Sequence, residues 1–284
     1  MTISIGVTGW GDHATLYQNQ QQRQQKLQTY STYFPVVEVD SSFYAVQPIA
    51  NYQKWVEATP ASFRFVIKAT QYLTGHDRNA RTNKEVKQLI ADFKQSIQPV
   101  IDANKLTTTL FQFPPWFDLR TRNIQKIQKL REWMGTTPMA IEFRNRSWFT
   151  DDNEQQTIDF LKQLGVSYVI CDEPQAGEGS VPTVLEATND HALVRFHGRN
   201  VHGWNNHGQD NWREVRFLYR YNQRELAEWV DRLKQLEQQV KHITVLFNNN
   251  SGGDAADNAK QLIDMLGIRY GGLHPKQIDL FDLM

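Results

Sequence analysis

Ala140-Ile141-Glu142-Phe143-Arg144-Asn145-Arg146-Ser147-Trp148 reads as a β-strand that ends in charge. Side chains alternate faces along a strand, so Ile141 and Phe143 share one face and Glu142 and Arg144 the other. In an open two-layer sheet the charged face would meet solvent. Here the segment sits among seven similar ones, most of them separated by helical sequence. That alternation indicates a parallel sheet covered on its outside, closed into a barrel once eight strands are present. Glu142 and Arg144 then point into the barrel, near its C-terminal mouth.

Working outward, further strands are expected at residues 3–8, 36–39, 63–68 and 107–111, and again at 167–171, 193–196 and 243–247. Apolar stripes at helical spacing lie between most of them, such as Val86, Leu89, Ile90, Phe93 and Ile97. Only about 20 residues separate the sixth strand from the seventh, and they hold Gly177, Gly179 and Pro182. The sixth helix is therefore expected to be short or absent. A long polar loop follows the seventh strand to about residue 222, the size of a lid or binding loop. The expected fold is a single (β/α)8 TIM barrel over residues 1–270, with a tail at 271–284.

The chain has 284 residues, and a barrel of this type takes about 250. Lys and Arg number 31, as do Asp and Glu, so no global field draws in nucleic acid or membrane, although a local basic patch is compatible with neutrality. The single cysteine, Cys171, excludes an internal disulfide and fits a reducing compartment. No apolar run approaches the about 18 residues of a membrane span, and no secretory pattern opens the chain. A cytoplasmic protein without a membrane partner is expected.

Several stretches form a recognisable set. They are Gly6-Val7-Thr8-Gly9-Trp10, Val37-Glu38-Val39-Asp40-Ser41-Ser42-Phe43-Tyr44, Phe65-Val66-Ile67-Lys68-Ala69 and Leu110-Phe111-Gln112-Phe113-Pro114-Pro115, followed by the opening strand, Val194-Arg195-Phe196-His197-Gly198-Arg199 and Phe247-Asn248-Asn249. In this order they resemble the YecE-like family, domain-of-unknown-function family 72. The resemblance implies a TIM barrel and specifies no reaction. The chain departs from the family pattern at Asp40, where asparagine is usual, and at Thr74-Gly75-His76, where Thr and His are adjacent.

Strand-end groups collect at the mouth. The expected catalytic set is Glu142, His197, Asp172 and Glu38, with His197 exchanging protons near neutral pH. The expected substrate-binding set is Lys68, Arg144, Arg195, Gln112, Asn248, Asp40, Tyr44, Trp10 and Trp148. Lys68, Arg144 and Arg195 suit a phosphate or carboxylate, and the aromatics suit a base or sugar ring. Against this stands a purely structural ion-pair ring of Glu38, Glu142, Arg144 and Arg195. Glu38, Glu142, Asp172 and His197 are also acceptable ligands for a divalent metal, though no short two-histidine spacing occurs. Cys171 is expected to be a small core residue.

Gln277-Ile278-Asp279-Leu280-Phe281 resembles the pentapeptide by which bacterial replication and repair proteins bind the sliding clamp. An extended segment would insert Leu280 and Phe281 into an apolar pocket. Tethering supplies local concentration on DNA that a neutral barrel lacks. The expected function is thus a hydrolase-like enzyme of a phosphate-bearing substrate, with DNA or a nucleotide foremost. The alternatives are an enzyme of small carbohydrates or phosphorylated metabolites, and a non-catalytic ligand- or partner-binding barrel.

Overall fold

A computed structural model describes residues 2–205 and 212–275. Strand β5 (Met139–Glu142) lies between β4 (Leu106–Gln112) and β6 (Ser167–Asp172), parallel to both. The remaining strands are β1 (Thr2–Thr8), β2 (Val36–Val39), β3 (Arg64–Lys68), β7 (His191–Phe196) and β8 (His242–Phe247). They pair in chain order, all in parallel, and β8 closes on β1. This is the eight-stranded barrel expected from the sequence.

Helices cover the outside. In chain order they are α1 (Gln20–Gln24), α2 (Lys26–Tyr30), α3 (Ile49–Glu57), α4 (Gln71–Thr74), α5 (Asn83–Asp102), α6 (Thr121–Met134), α7 (Glu154–Leu164), α8 (Val201–Trp204), α9 (Trp212–Arg216), α10 (Gln223–Leu236) and α11 (Ala255–Met265). Two long ones start on capping boxes, Thr82 with Glu85 for α5 and Asn222 with Glu225 for α10, which satisfy amide groups the first turn leaves free. Residues 173–190 contain no helix, so β6 and β7 are joined by loop alone. The long segment after β7 folds locally into α8 and α9. Among the described residues no helix is long and apolar enough to cross a membrane.

Tight packing is legible at Gly6. A β-carbon there would collide with the Val36 carbonyl, and its absence lets the Tyr30 hydroxyl sit between β1 and β2. That hydroxyl donates to the Val36 carbonyl at 2.8 Å and accepts from the Val7 amide at 2.9 Å. At the N-terminal end of the barrel the chain after α11 is held down. The Ile5 amide donates to the Tyr270 hydroxyl, Ser62 Oγ to the Gly272 carbonyl, and the His274 amide to the Ser31 carbonyl. The tail residues 277–281 lie outside the described residues.

Candidate active site

Strand parity builds the site. On β5 the alternation holds: Ile141 and Phe143 pack outward, while Glu142 turns inward and Arg144, just past the strand, follows it. On β7 Arg195 and His197 turn inward. Arg195 grips Glu38 of β2 with two prongs, Nε to Oε2 at 2.9 Å and Nη2 to Oε1 at 2.7 Å. Its third nitrogen, Nη1, donates to Glu142 Oε2 at 2.5 Å. Glu142 Oε1 accepts from Arg144 Nε at 2.7 Å and Gln112 Nε2 at 2.8 Å, and lies 3.2 Å from His197 Nε2. All four charged residues are buried. The structural ion-pair ring weighed from sequence is therefore a physical feature of the barrel floor.

Electrostatics follow from that packing. Burial would raise the Glu142 carboxyl, but Arg144 and Arg195 outweigh it and hold it well below the usual carboxylate range. Burial opposes the Arg195 cation, and Glu142 and Glu38 more than restore it. Burial pushes Glu38 upward against the pull of Arg195 and Lys68. The two-pronged contact with both carboxylate oxygens nonetheless matches an ion pair. Burial and then Arg144 drive the His197 imidazole well below its ordinary value, so it stays neutral. The proton exchange near neutral pH expected of His197 is thus not what its surroundings favour. Its Nε2 lies 2.8 Å from Arg144 Nη2 and its Nδ1 3.1 Å from Asn248 Nδ2. Lys68 Nζ pairs with Asp40 at 2.8 Å nearer the rim and lies 4.6 Å from the Phe43 ring centre.

Two expected residues lie elsewhere. On β6 Cys171 is the partner of Arg195, so Cys171 faces inward and Asp172 outward. Asp172 is clamped beneath α10 by Arg199 Nη2 at 2.6 Å, the Tyr221 hydroxyl at 2.8 Å and Trp229 Nε1 at 2.5 Å. It fastens the barrel to its shell and does not reach the mouth. Trp148 is fully buried, stacked 4.3 Å from Phe143, with Nε1 donating to the Phe117 carbonyl. It belongs to the core rather than to a ligand wall. Trp10 is half-buried, edge-on to Trp55, and Tyr44 is 60% exposed at the rim.

Two groups missing from the sequence reading complete the mouth. Glu173 follows Cys171 by one step of parity and turns inward. Its Oε2 accepts from Arg144 Nη1 at 2.6 Å and its Oε1 from the Val181 amide at 2.7 Å. Burial, only partly offset by Arg144, raises its carboxyl to about 7. Arg216, at the end of α9, lies 4.3 Å from the centre of the Trp204 indole, which Arg144 also approaches, at 5.1 Å. Arg216 has no carboxylate partner among the described residues, and its buried Nε has no hydrogen-bond partner there. Burial, and then the Arg144 cation, lower it to about 9.

Residues 4–279 match the family described as "Protein of unknown function DUF72". The chain belongs to that family. It is 53% identical over 281 residues to UPF0759 protein YunF of Bacillus subtilis (strain 168), covering 98% of this chain and 100% of that one. A family member from Enterococcus faecalis has a crystal structure with a TM-score of 0.88 at 36% identity, covering 98% of this chain and 100% of the other. Another, from Thermotoga maritima, gives 0.81 at 29% identity, covering 94% and 100%. Within the family fold, Glu142, Cys171 and His197 place ligand-type atoms within 4.8 Å of one another.

Proposed function

We propose that the barrel mouth is the active site of a hydrolase for a phosphate-bearing substrate, with a nucleotide or nucleic acid as the first choice. The observation that carries the reading is the pair of guanidinium groups on the Trp204 indole. Arg144 is spent on Glu142, Glu173 and His197, whereas among the described residues Arg216 rests on rings and has no ion-pair partner. A partly buried cation held beside another cation is unfavourable, and an oxyanion bound between them relieves it. An arginine fork fits the oxygens of a phosphate or a carboxylate, and phosphate is the one we take forward.

The same arrangement favours an anion over a divalent metal at Glu142, Cys171 and His197. Glu142 already accepts from two arginines and Gln112, so an entering cation would confront both guanidinium groups. Burial, followed by Glu142 and Glu173, raises the Cys171 thiol well above its ordinary value, which favours its protonated form beside the two carboxylates.

In the proposed step water adds to phosphorus and the phosphorus–oxygen bond to the leaving group breaks. Glu173 gives its proton to the leaving oxygen and regains one from the attacking water. Glu142 is a poor candidate for that role because two arginines hold it ionised. With Glu173 as the acid, the rate falls as pH rises through about 7, where the carboxyl loses its proton. Hydrolysis by the full chain of a thymidine dinucleotide, whose alkoxide leaving group needs a proton, tests this. Glu173→Gln should lower kcat by about 100-fold or more and remove that limb of the pH profile. An unchanged rate and profile would reject Glu173 as the acid.

The tail supports a second element of the reading, docking of residues 277–281 on a bacterial sliding clamp. His274 is fixed to Ser31 at the N-terminal face, opposite the mouth, so a partner held just beyond it leaves the mouth open. Removal of residues 277–284 should abolish clamp binding in a pull-down and leave the thermal unfolding curve in place. Retained binding would rule the segment out.

A further inference from the structure

Beside the mouth lies a second feature that the catalytic reading does not use. A cleft of about 270 Å³ opens between the start of α5 and the length of α6. Arg81, Arg122, Lys126 and Lys129 line it, against the single carboxylate of Asp77. Asp77 is engaged with Arg81 at 2.7 Å. Among the described residues no carboxylate pairs with Arg122, Lys126 or Lys129. Tyr72, under the Arg81 guanidinium at 4.7 Å, forms part of the wall. In a chain with no net charge this is a local excess of positive charge.

A series of side-chain contacts links the cleft to the mouth. Lys68 lies over Phe43, the Phe43 ring is 4.9 Å from His76, and His76 is 6.0 Å from Trp116. Trp116 is 48% exposed, carries Arg78 on its face at 4.4 Å, and donates from Nε1 to the Gly75 carbonyl. Gly75 in turn abuts Lys126, whose Nζ would lie 3.2 Å from a β-carbon at that position. Two exposed rings, Trp116 and Tyr44, set among cations suit unpaired bases and their phosphates, because every base has a face to stack and every linkage carries a charge.

We propose that the α5–α6 cleft binds the phosphodiester backbone of a single nucleic-acid strand, while Trp116 and Tyr44 stack its bases on the way to the mouth. This rests on the reading of the mouth as a phosphate site and narrows its substrate from any phosphate ester to an oligonucleotide.

The experiment is fluorescence anisotropy of a labelled single-stranded DNA of about 12 nucleotides with the full chain across a range of salt. Arg122 and Lys129 are exposed on one face of α6, so Arg122→Glu/Lys129→Glu leaves the packed face untouched. That double variant should bind the strand about tenfold or more weakly at low salt and show a shallower salt dependence. Trp116→Ala should weaken binding severalfold with the salt dependence retained, since stacking is not ionic. Arg122→Ala/Lys129→Ala should give a smaller loss in the same direction.

Strand affinity unchanged in both double variants, or tighter binding of a duplex than of the single strand, would overturn the proposal. Inorganic phosphate reports on the mouth separately. If Arg216→Ala leaves phosphate binding intact while the cleft variants still lose the strand, the mouth reading falls and the cleft inference stands. If phosphate binding depends on Arg216 and the strand ignores the cleft, the reverse holds.

Discussion

Arg195, fully buried, and Arg216, partly buried, are guanidinium groups at the same end of one barrel in opposite circumstances. Arg195 spends three nitrogens on Glu38 and Glu142, at distances from 2.5 to 2.9 Å. Arg216 rests on Trp204, Trp212 and Phe217, with its Nε unpartnered among the described residues. The first charge is neutralised by the fold itself. The second has no carboxylate partner among the described residues. A buried ion is thus a weak sign of function until its partners are counted.

The comparison breaks most visibly at Arg195. Arg195→Ala strands Glu38 and Glu142 together in the barrel floor and should cost about 3–5 kcal/mol in urea unfolding. Glu38→Gln/Arg195→Met, which removes charge from both sides, should recover much of that loss. If the single variant unfolds like the parent, the floor is not an ion-pair ring.

Asp172 gives a smaller, independent check on which carboxylates belong to the structure. Asp172→Ala leaves the Tyr221 hydroxyl and the Trp229 indole N–H without their acceptor and should cost about 3 kcal/mol. Phosphate affinity should not change, because Asp172 faces α10. A loss of affinity with no loss of stability would return it to the mouth.

How far the sequence spoke depends on the strand. In β5 apolar and charged residues alternate, so the inward face of Glu142 and Arg144 could be read directly. In β6 Tyr168-Val169-Ile170-Cys171 is apolar on both faces, as expected of a strand with a core on each side. Nothing local says which face is inner, and Asp172 was placed one residue out of phase. Its register with β7, Cys171 against Arg195, carries the missing information and identifies Glu173. The absent sixth helix was legible because loop length alone decides it. Arg216 was not, since its position depends on how the segment after β7 folds back over Trp204. Trp148 misled for a related reason: it follows a strand, yet its ring turns down onto Phe143 and Phe117.

The smallest expected effect, and the most direct test, is titration of inorganic phosphate into the full chain and into Arg216→Ala by isothermal calorimetry at pH 7. An uncompensated guanidinium at the mouth predicts binding by the parent chain and about tenfold or greater weakening on its removal, equivalent to about 1.4 kcal/mol or more. Equal binding by both chains, or none by either, would contradict an anion site built on Arg216.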